Sequence, residues 1–487
     1  MHILVLTIYS GALFILLLFG FHTAVLVWHY YNTKPSKPVS LKLPTDSDLP
    51  IVTIQLPIYN EHHVVKRILD AVCNFNYPND KLEIQILDDS TDDTVEIISK
   101  LVSEKILLGL DIKHIHRLNR DGYKAGALKA GLEICKGEFV TIFDADFFPS
   151  KDFIRQTLPY LLNDNKIGLV QTRWEHLNED YSILTRIQAV ALDAHFAIEQ
   201  QVRNRIGVFI NFNGTAGIWR KKCILDAGNW HADTLTEDLD LSYRAQLKGW
   251  NFIYLNDVFV PAELPSEING LKGQQFRWTK GAIETAKKHI GNVWSSKIPL
   301  RLKLYGSVHL LANGIFPLVL MMALMGLPMV VIKLNHPELH LWLDILSIGI
   351  LVSMASFALY ISAQKDLHED WVKRIFLFPI FMAGMTGLAI NNSRAVIEGL
   401  IGKKTEFTRT PKYNIISKND KWQGSSYKFN KIKIDTVIEL ILSVYFLISI
   451  VYALSKLEIS VVPFQLLFLS GFLYNSILSL RHAFSRA

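Results

Sequence analysis

Three short polar runs in this sequence carry side chains that could act together on a phosphorylated substrate. Asp144 and Asp146 follow the apolar run Phe139 to Phe143. Two carboxylates one residue apart at a strand end suit a hard divalent cation, which would in turn neutralise a diphosphate. Thr236-Glu237-Asp238 places two acids at a helix start. Gln274-Gln275-Phe276-Arg277-Trp278 then supplies an amide, a guanidinium and an indole, which could hold a polyanion and a sugar ring.

Each of these runs also has a simpler, structural explanation. Two aspartates that follow a strand can lie in a solvated turn. Thr236 is a suitable N-cap for a helix that runs to about Lys248, where Gly249 can stop it, and the helix dipole favours acids in the first turn. Capping alone could therefore explain Glu237 and Asp238, and it is the rest of the set that points to chemistry.

The elements that would position these runs form an alternating pattern between residues 51 and 292. The predicted strands are Ile51–Pro57, Leu82–Asp88, Ile112–His116, Phe139–Asp144 and Gly168–Arg173. Helical stretches lie between them, such as Glu61–Cys73, Asp92–Lys105 and Lys124–Cys135. This alternation indicates a mostly parallel sheet with helices on both faces, in which ligands bind beyond the carboxyl ends of the strands.

Two further candidate binding positions follow from that arrangement. Asp88 and Asp89 close the second predicted strand, where a carboxylate can accept hydrogen bonds from a nucleobase or a ribose, although aspartates also simply end strands. The glycine-containing helix start Asn119–Leu128 would expose backbone N–H groups, and Lys124 adds a positive charge there. A phosphate or ribose could therefore rest against this helix start.

The apolar residues are concentrated at the two ends of the chain. Half of the 487 residues are hydrophobic and the mean hydropathy is +0.21, which is too apolar for one soluble domain of this length. The net charge of +6 does not indicate nucleic-acid binding. The three cysteines are scattered and lack metal-ligand spacing, so we expect reduced thiols in a domain that faces the cytosol.

The N-terminal run Ile3–Trp28 is long enough to cross a hydrocarbon core of about 30 Å. We predict a transmembrane helix within residues 1–34, followed by a linker over 35–50 that is rich in proline, serine and lysine. Three lysines between positions 34 and 42 place this end of the helix on the cytoplasmic side. A cleaved signal peptide is the alternative, but no basic segment precedes the run and no small-residue cleavage site follows it.

Five more apolar segments follow the α/β region, and their number decides the topology. They are Leu304–Ile332, Leu341–Ala363, Ile375–Ile390, Thr436–Leu454 and Ile459–Leu480. If all five crossed, the basic segment 402–434 would lie on the far side of the membrane, against the positive-inside rule.

The segment 373–400 is therefore predicted to be interfacial or re-entrant. It contains Pro379, and a polar step at residues 391–394 interrupts it. The pairs of spans are then expected within 301–365 and 435–487, which gives five spans with the N-terminus outside. A six-span arrangement is the alternative.

Taken in order, the polar runs resemble the motifs of membrane-embedded family 2 glycosyltransferases, which include cellulose, mannan, chitin and hyaluronan synthases. Asp88-Asp89, Asp144-x-Asp146, Thr236-Glu237-Asp238 and Gln274-x-x-Arg277-Trp278 match the D, DxD, (T/E)D, QxxRW series of that family. The resemblance covers about Ile51 to Tyr413. It implies a GT-A fold, which is an α/β, mostly parallel, Rossmann-like catalytic domain over 51–270, fused to an α-helical transmembrane bundle.

The resemblance also implies which residues hold the donor. Asp88 and Asp89 would contact the nucleotide, with Lys124 nearby. Asp144 and Asp146 would hold the diphosphate and a Mg²⁺ or Mn²⁺ ion.

On the acceptor side, the resemblance implies one base and one binding motif. Asp238, preceded by Glu237, would be the general base that takes the proton from an acceptor hydroxyl. Gln274, Arg277 and Trp278 would bind the diphosphate and the acceptor sugar. The apolar stripe and basic flanks of Leu271–Trp294 favour an interfacial helix over 271–300, with a domain helix packed on the sheet as the alternative. A single base without a second carboxylate nucleophile implies direct displacement with inversion.

The segment 401–434 contains a further similarity to this family. Phe407-Thr408-Arg409-Thr410-Pro411-Lys412 is similar to the FxVTxK gating loop of cellulose synthase and its relatives, with Arg409 where that pattern has a valine. Phe407, Thr410 and Lys412 are the matched positions, and a mobile segment of this kind could close over a donor diphosphate. A basic tail that binds anionic lipid is the alternative.

These expectations lead to two enzymatic functions and one that is not enzymatic. The first is an inverting, metal-dependent hexosyltransferase that uses GDP-mannose or UDP-glucose to elongate a β-linked polysaccharide at the cytoplasmic membrane face, as mannan or glucomannan synthase-like proteins do, and passes it through its own helices. The second transfers one sugar to a membrane lipid, as ceramide glucosyltransferases do. The third is a catalytically silent transporter or glycan-binding protein on the same fold. The membrane would be the cell membrane in a prokaryote, or the Golgi or plasma membrane in a eukaryote.

Overall fold

The computed structural model describes residues 2–33, 41, 43–420 and 434–484. Parts of the predicted linker 35–50 and of the predicted loop 401–434 fall outside the described residues. The remaining chain forms one mixed α/β domain and a set of long apolar helices at both of its ends.

A seven-stranded sheet organises the α/β domain. Its strands are β1 (Val52–Ile58), β2 (Leu82–Asp88), β3 (Asp111–His116), β4 (Phe139–Ile142), β5 (Ile167–His176), β6 (Gly217–Arg220) and β7 (Asn251–Ala262). Their order across the sheet is β3-β2-β1-β4-β6-β5-β7, and only β6 runs antiparallel to its neighbours. The predicted mostly parallel GT-A-like sheet is therefore confirmed.

The helices alternate with these strands and then continue beyond them. In chain order they are α1 (His2–Asn32), α2 (Val65–Cys73), α3 (Thr94–Leu107), α4 (Tyr123–Glu133), α5 (Phe153–Asn163), α6 (Ile183–Asp193), α7 (Gln201–Arg205), α8 (Lys221–Asp226), α9 (Glu237–Leu247), α10 (Ile268–Ser295), α11 (Leu300–Leu311), α12 (Phe316–Asn335), α13 (His340–Leu346), α14 (Ile350–Leu367), α15 (Trp371–Arg374), α16 (Phe378–Gly387), α17 (Ala389–Ile401), α18 (Ile434–Ser455) and α19 (Val462–Phe484).

The central strands are buried on both faces because helices cover both sides of the sheet. Every residue of β2 is buried, as is every residue of β1 except Pro57. One apolar cluster joins β1 and β2 to α2, α3 and α5, and a second joins β4 and β6 to α4 and α8. This packing holds the carboxyl ends of β1, β2 and β4 side by side at one edge, where the polar residues follow.

The apolar helices are those of a membrane protein. Within the described residues, five helical stretches are long and apolar enough to span a bilayer: His2–Asn32, Leu300–Asn335, Pro337–Leu367, Ile434–Ser455 and Ile459–Ala483. Trp371–Gly387 and Ala389–Ile401 form a sixth candidate, which bends by 44° at its break. The bent pair is one broken span or a re-entrant segment, and these are the two arrangements that the sequence left open.

Helix α10 lies between the α/β domain and the apolar helices. It is amphipathic and begins at Ile268, where the Glu267 carboxylate accepts hydrogen bonds from the amides of Asn269 and Gly270 at 3.0 Å each. Near that end, the buried Lys272 amine lies 2.8 Å from the Glu439 carboxylate of α18. Both partners of this ion pair are buried. The pair fixes this end of α10 against the helix bundle, because either charge would be strongly destabilised without its partner.

Candidate active site

The predicted site residues meet at one cavity of about 200 Å³ at the carboxyl edge of the sheet. The ends of β1, β2, β4, β5 and β7 contribute to its walls, together with the starts of α9 and α10. The predicted residues that line it are Asp89, Lys124, Asp144, Asp146, Glu237, Asp238, Gln274, Arg277, Trp278, Phe407, Thr410 and Lys412. Four distant parts of the chain thus face one space.

Asp144 and Asp146 occupy the turn that directly follows β4. The Lys124 amine lies 2.5 Å from Asp144 Oδ1, and the Lys412 amine lies 2.5 Å from Asp146 Oδ2. Burial raises the pKa of the Asp144 carboxyl above its usual range, the nearby Lys124 amine lowers it, and the charge of Asp146 raises it further. Both carboxylates therefore face strong positive charge inside the cavity. The two carboxylates are nevertheless hard oxygen donors of the kind that Mg²⁺ or Mn²⁺ prefers.

Asp238 lies in the first turn of α9 and faces the same cavity. Its carboxylate lies against Gly214, whose backbone has a φ of +81° and where an added Cβ would stand 3.1 Å from Asp238 Oδ2. Burial, and then the charge of Glu237, raise the pKa of the Asp238 carboxyl to about 7. A carboxylate with this pKa can take up a proton near neutral pH, as a general base requires.

Lys124 joins the two acidic positions. Its amine donates to the Gly214 carbonyl at 2.9 Å as well as to Asp144. The pKa of Lys124 is nevertheless raised, because the charges of Asp144 and Glu237 outweigh the effect of burial. The lysine therefore stays charged between the metal-type carboxylates and the candidate base.

The capping role predicted for Thr236 is wrong for its side chain. Within the described residues, the Thr236 hydroxyl forms no hydrogen bond to the first amides of α9 and lies 3.1 Å from the Thr285 hydroxyl of α10. Tertiary packing has replaced the local cap, because α10 passes so close that an added Cβ on Gly281 would stand 2.6 Å from Thr236 Cγ2. The acids of α9 are thereby fixed against α10 as well as within their own helix.

Arg277 connects α10 to the segment 407–412. Its guanidinium donates to the Thr408 carbonyl and, at 3.0 Å, to the Thr410 hydroxyl. It also lies 4.9 Å from the ring centre of Phe407, a cation–π distance. Burial lowers the pKa of Arg277 to about 10, so the guanidinium is still charged at neutral pH.

The segment 407–412 lies over the cavity. Besides its contact with Asp146, the Lys412 amine donates to the Glu263 carbonyl at 2.5 Å. Arg409, which stands where the family pattern has a valine, pairs with the Glu61 carboxylate at 2.8 Å. The arginine that replaces the valine of the family pattern therefore forms an ion pair with a residue that follows β1.

Gln274 and Trp278 line the cavity from α10. Trp278 lies 6.4 Å from Trp174, measured between ring centres. Both α10 residues also line a second, smaller cavity of about 30 Å³, which lies between α6, α10, α16 and α19 and is lined by Gln188 and Tyr474 as well. Gln274 and Trp278 thus lie between the candidate active-site cavity and the apolar helices.

Asp88 is the one predicted site residue that the structure does not bring to the cavity. It is fully buried, and its Oδ2 atom lies 2.8 Å from His114 Nε2 and 3.3 Å from His116 Nδ1, while Oδ1 accepts from the Ser90 amide at 2.8 Å. Asp88 therefore stabilises the strand end. Alternation along the chain turns the next residue, Asp89, to the cavity.

Several cavity residues were not selected from the sequence as site residues. Arg120 lines the cavity, where its guanidinium stacks 3.3 Å from the ring centre of Tyr59. Arg117 is not among the lining residues, but it donates to both Asp89 oxygens at 2.7 and 2.6 Å. Glu61 and Arg120 lay within the polar runs at the ends of strands, so their position gave a signal. Arg117 gave none, because an arginine after a strand has no distinctive spacing.

The fold and the cavity define an α/β protein of the GT-A class joined to membrane helices. Comparison with known proteins is consistent with this class. Residues 50–281 match the family described as glycosyltransferase like family 2. The predicted resemblance to cellulose synthase-like family 2 glycosyltransferases is confirmed by this match and by the relatives below.

Plant mannosyltransferases are among the similar curated proteins. The chain is 41% identical over 271 residues to glucomannan 4-beta-mannosyltransferase 1 of Oryza sativa subsp. japonica, which covers 55% of this chain and 51% of that protein. It is 44% identical over 280 residues to glucomannan 4-beta-mannosyltransferase 1 of Cyamopsis tetragonoloba. This match covers 56% of this chain and 53% of that protein. The chain thus spans about half the length of the curated relatives it matches.

A solved structure shows a similar fold. It is a mannosyltransferase from Pyrobaculum calidifontis in complex with GDP-Man and Mn²⁺, with a TM-score of 0.53 and 18% identity. The match covers 81% of this chain and 100% of that one. At this level of identity the similarity concerns the fold.

Proposed function

We propose that this chain is an inverting hexosyltransferase that uses a nucleotide-sugar donor, with GDP-mannose ahead of UDP-glucose, to elongate a β-linked polysaccharide. The observation that carries the proposal is the convergence of Asp144, Asp146, Asp238 and Arg277 on one cavity. The names of the plant relatives, and the GDP-Man and Mn²⁺ in the fold neighbour, favour the mannosyl donor.

The residues divide into a leaving-group side and an acceptor side. Displacement of a nucleoside diphosphate from the anomeric carbon develops negative charge on the leaving phosphate, so Arg277 and Lys124 stabilise the transition state most. Asp144 and Asp146 would hold a divalent cation, which adds charge neutralisation on the diphosphate when bound. Asp89 and its neighbours at the end of β2 would hold the nucleoside.

On the acceptor side, Asp238 would take the proton from the attacking hydroxyl. An alcohol is a weak acid, so a carboxylate within hydrogen-bond reach is needed as the bond to carbon forms. Trp278 and Gln274 would hold the terminal sugar, since indole rings supply flat apolar surface for a pyranose face. Attack from the side opposite the diphosphate inverts the anomeric centre.

The membrane helices favour elongation with translocation over a single transfer. A second cavity of about 30 Å³, lined by Gln274 and Trp278, lies between α6, α10, α16 and α19, and we infer that a growing chain would leave the site on this side. The lysines that follow α1 favour a catalytic domain on the cytoplasmic face. Membrane lipids would surround α1, α12, α14, α18 and α19.

The test is a donor screen on the purified protein with Mg²⁺ or Mn²⁺, in which nucleotide release and product size are both measured. We expect release of GDP from GDP-mannose and a product many sugars long. A product that stays one sugar long with every donor would favour transfer to a lipid. The absence of turnover with any donor, in a well-folded preparation, would contradict a transferase of either kind.

The pH dependence of the reaction follows from the raised pKa of the base. Asp238 accepts a proton only when it is ionised, and its pKa is raised to about 7. The value of kcat is therefore expected to increase with pH through about 7 and to fall about tenfold per pH unit below it. A pH profile at saturating donor checks this, and a profile that is flat from about pH 5.5 to 8 would contradict Asp238 as the base.

A further inference from the structure

Lys280 of α10 is a fully buried lysine whose amine contacts residues 403–405. These are the first residues of the segment over the cavity, and we call them the loop root. Its side chain has 0% exposure. The amine donates to the Lys403 carbonyl at 2.5 Å and forms a short hydrogen bond with the Thr405 hydroxyl. These two acceptors lie directly after Gly402, which ends α17 with a φ of +72°. A buried charge thus binds the first residues of the segment 403–413.

The acids near Lys280 are farther away than these acceptors. Glu398 Oε2 lies 3.6 Å from the amine and Glu284 Oε1 lies 4.0 Å from it. Burial of an ammonium group is costly unless its donors are satisfied. Because the nearest oxygens belong to the loop root, movement of residues 403–405 away from α10 would leave the amine poorly solvated. The lysine therefore favours the docked position of the loop.

The same turn of α10 holds the segment that carries the candidate base. Glu284 Oε2 accepts a hydrogen bond from the Leu235 amide at 3.0 Å, and the Thr285 hydroxyl lies 3.1 Å from that of Thr236. Gly281 lets the two backbones approach, since an added Cβ would stand 2.9 Å from the Thr236 nitrogen. One turn of α10 thus contacts the loop root on one side and, on the other, Leu235 and Thr236, which precede Asp238.

We propose that Lys280 is a positioning residue that docks the segment 403–413 over the cavity, and that residues 280–285 tie this loop to the segment before Asp238. Lys280 does not line the cavity, so its effect passes through the loop. The consequence for catalysis rests on the proposed transferase function. The physical link between Lys280 and the loop does not.

The test is hydrogen exchange of the full-length protein in detergent or nanodiscs, measured for the wild type and for Lys280→Met. Methionine keeps much of the side-chain volume but removes the charge and the donors. Because the loop loses its anchor, we expect amides of residues 403–413 to exchange about tenfold faster, with the sheet unaffected. The donor KM should rise more than kcat falls, since closure over the donor is weakened.

Lys287→Met is the matched control. Lys287 also lies on α10 and donates to the Leu400 carbonyl at 2.6 Å, but its partners lie in α17 and precede the loop. We expect exchange of residues 403–413 in this variant to match the wild type. Faster loop exchange in Lys287→Met as large as in Lys280→Met would contradict a specific role for Lys280.

Thr405→Val covers the case in which Lys280→Met does not fold. Thr405 is exposed, so its replacement spares the core while it removes one of the two acceptors of the Lys280 amine. Loop exchange should again increase, by a smaller factor. Unchanged exchange of 403–413 in Thr405→Val and in any folded Lys280→Met protein would overturn the proposal. This readout does not depend on turnover, so it separates failure of the inference from failure of the proposed function.

Discussion

Replacement of Asp238 by asparagine is expected to lower kcat by about 10²- to 10⁴-fold, which is the usual contribution of a positioned general base. The amide has nearly the same shape but cannot take up a proton. Donor affinity should change little, because Asp238 faces the acceptor side of the cavity and the phosphate-binding charges of Lys124 and Arg277 remain. Single-turnover kinetics with saturating donor, together with nucleotide binding by calorimetry, measure both quantities.

Asp233→Asn is the control for this experiment. Asp233 lies five residues before Asp238 and pairs with Lys288 at the surface, where its side chain is 58% exposed. An exposed ion pair contributes about 0–1 kcal/mol, so this variant should keep wild-type kinetics. If Asp238→Asn kept more than about a tenth of the wild-type kcat, a general-base role would be contradicted.

Replacement of Arg277 by alanine should have the second largest effect. The guanidinium is a half-buried cation of α10 near Asp144 and Glu237, and it also donates to the Thr408 carbonyl and the Thr410 hydroxyl. Removal of one preorganised donor to a developing negative charge typically lowers kcat by about 10²- to 10³-fold. The loss of loop contacts adds an increase in the donor KM, which steady-state kinetics separate from the effect on kcat.

A second variant of Arg277 separates the effect of its charge from that of its shape, and a variant of another arginine is the control. Arg277→Lys keeps the charge but loses the planar pair of donors, so we expect it to recover part of kcat and little of the loop contact. Arg186→Ala removes an arginine that is 41% exposed and pairs with Asp180, and it should behave as the wild type. Full activity of Arg277→Ala would remove the cationic stabilisation of the leaving group from the mechanism.

The sheet could be predicted from the sequence because its strands are short apolar runs that end in polar residues. β2 was predicted with its observed bounds, and β1 and β3 to within a residue at each end. β6 and β7 were missed. β6 is only four residues long and β7 alternates exposed and buried residues with a break in register, so neither has the continuous apolar run of a central strand.

The cavity itself depends on contacts that no local pattern encodes. The Arg409–Glu61 pair and the Lys412–Asp146 pair join residues that are hundreds of positions apart. Asp88 was selected because it ends a strand next to Asp89, and only the strand alternation, with two histidines on β3, shows that it points away. Family motifs indicate which residues share a site, but which of two adjacent carboxylates faces the cavity is a matter of packing.

The most direct test of the account is a structure of the Asp238→Asn protein with GDP-mannose and Mn²⁺, determined by cryo-electron microscopy. We expect the diphosphate against Arg277 and the Asp144–Asp146 turn, and the mannose ring between this turn and position 238, with its anomeric carbon open towards Trp278. A nucleotide sugar bound outside this cavity, or bound with its sugar turned away from position 238, would contradict the central claim that these residues act on one activated sugar.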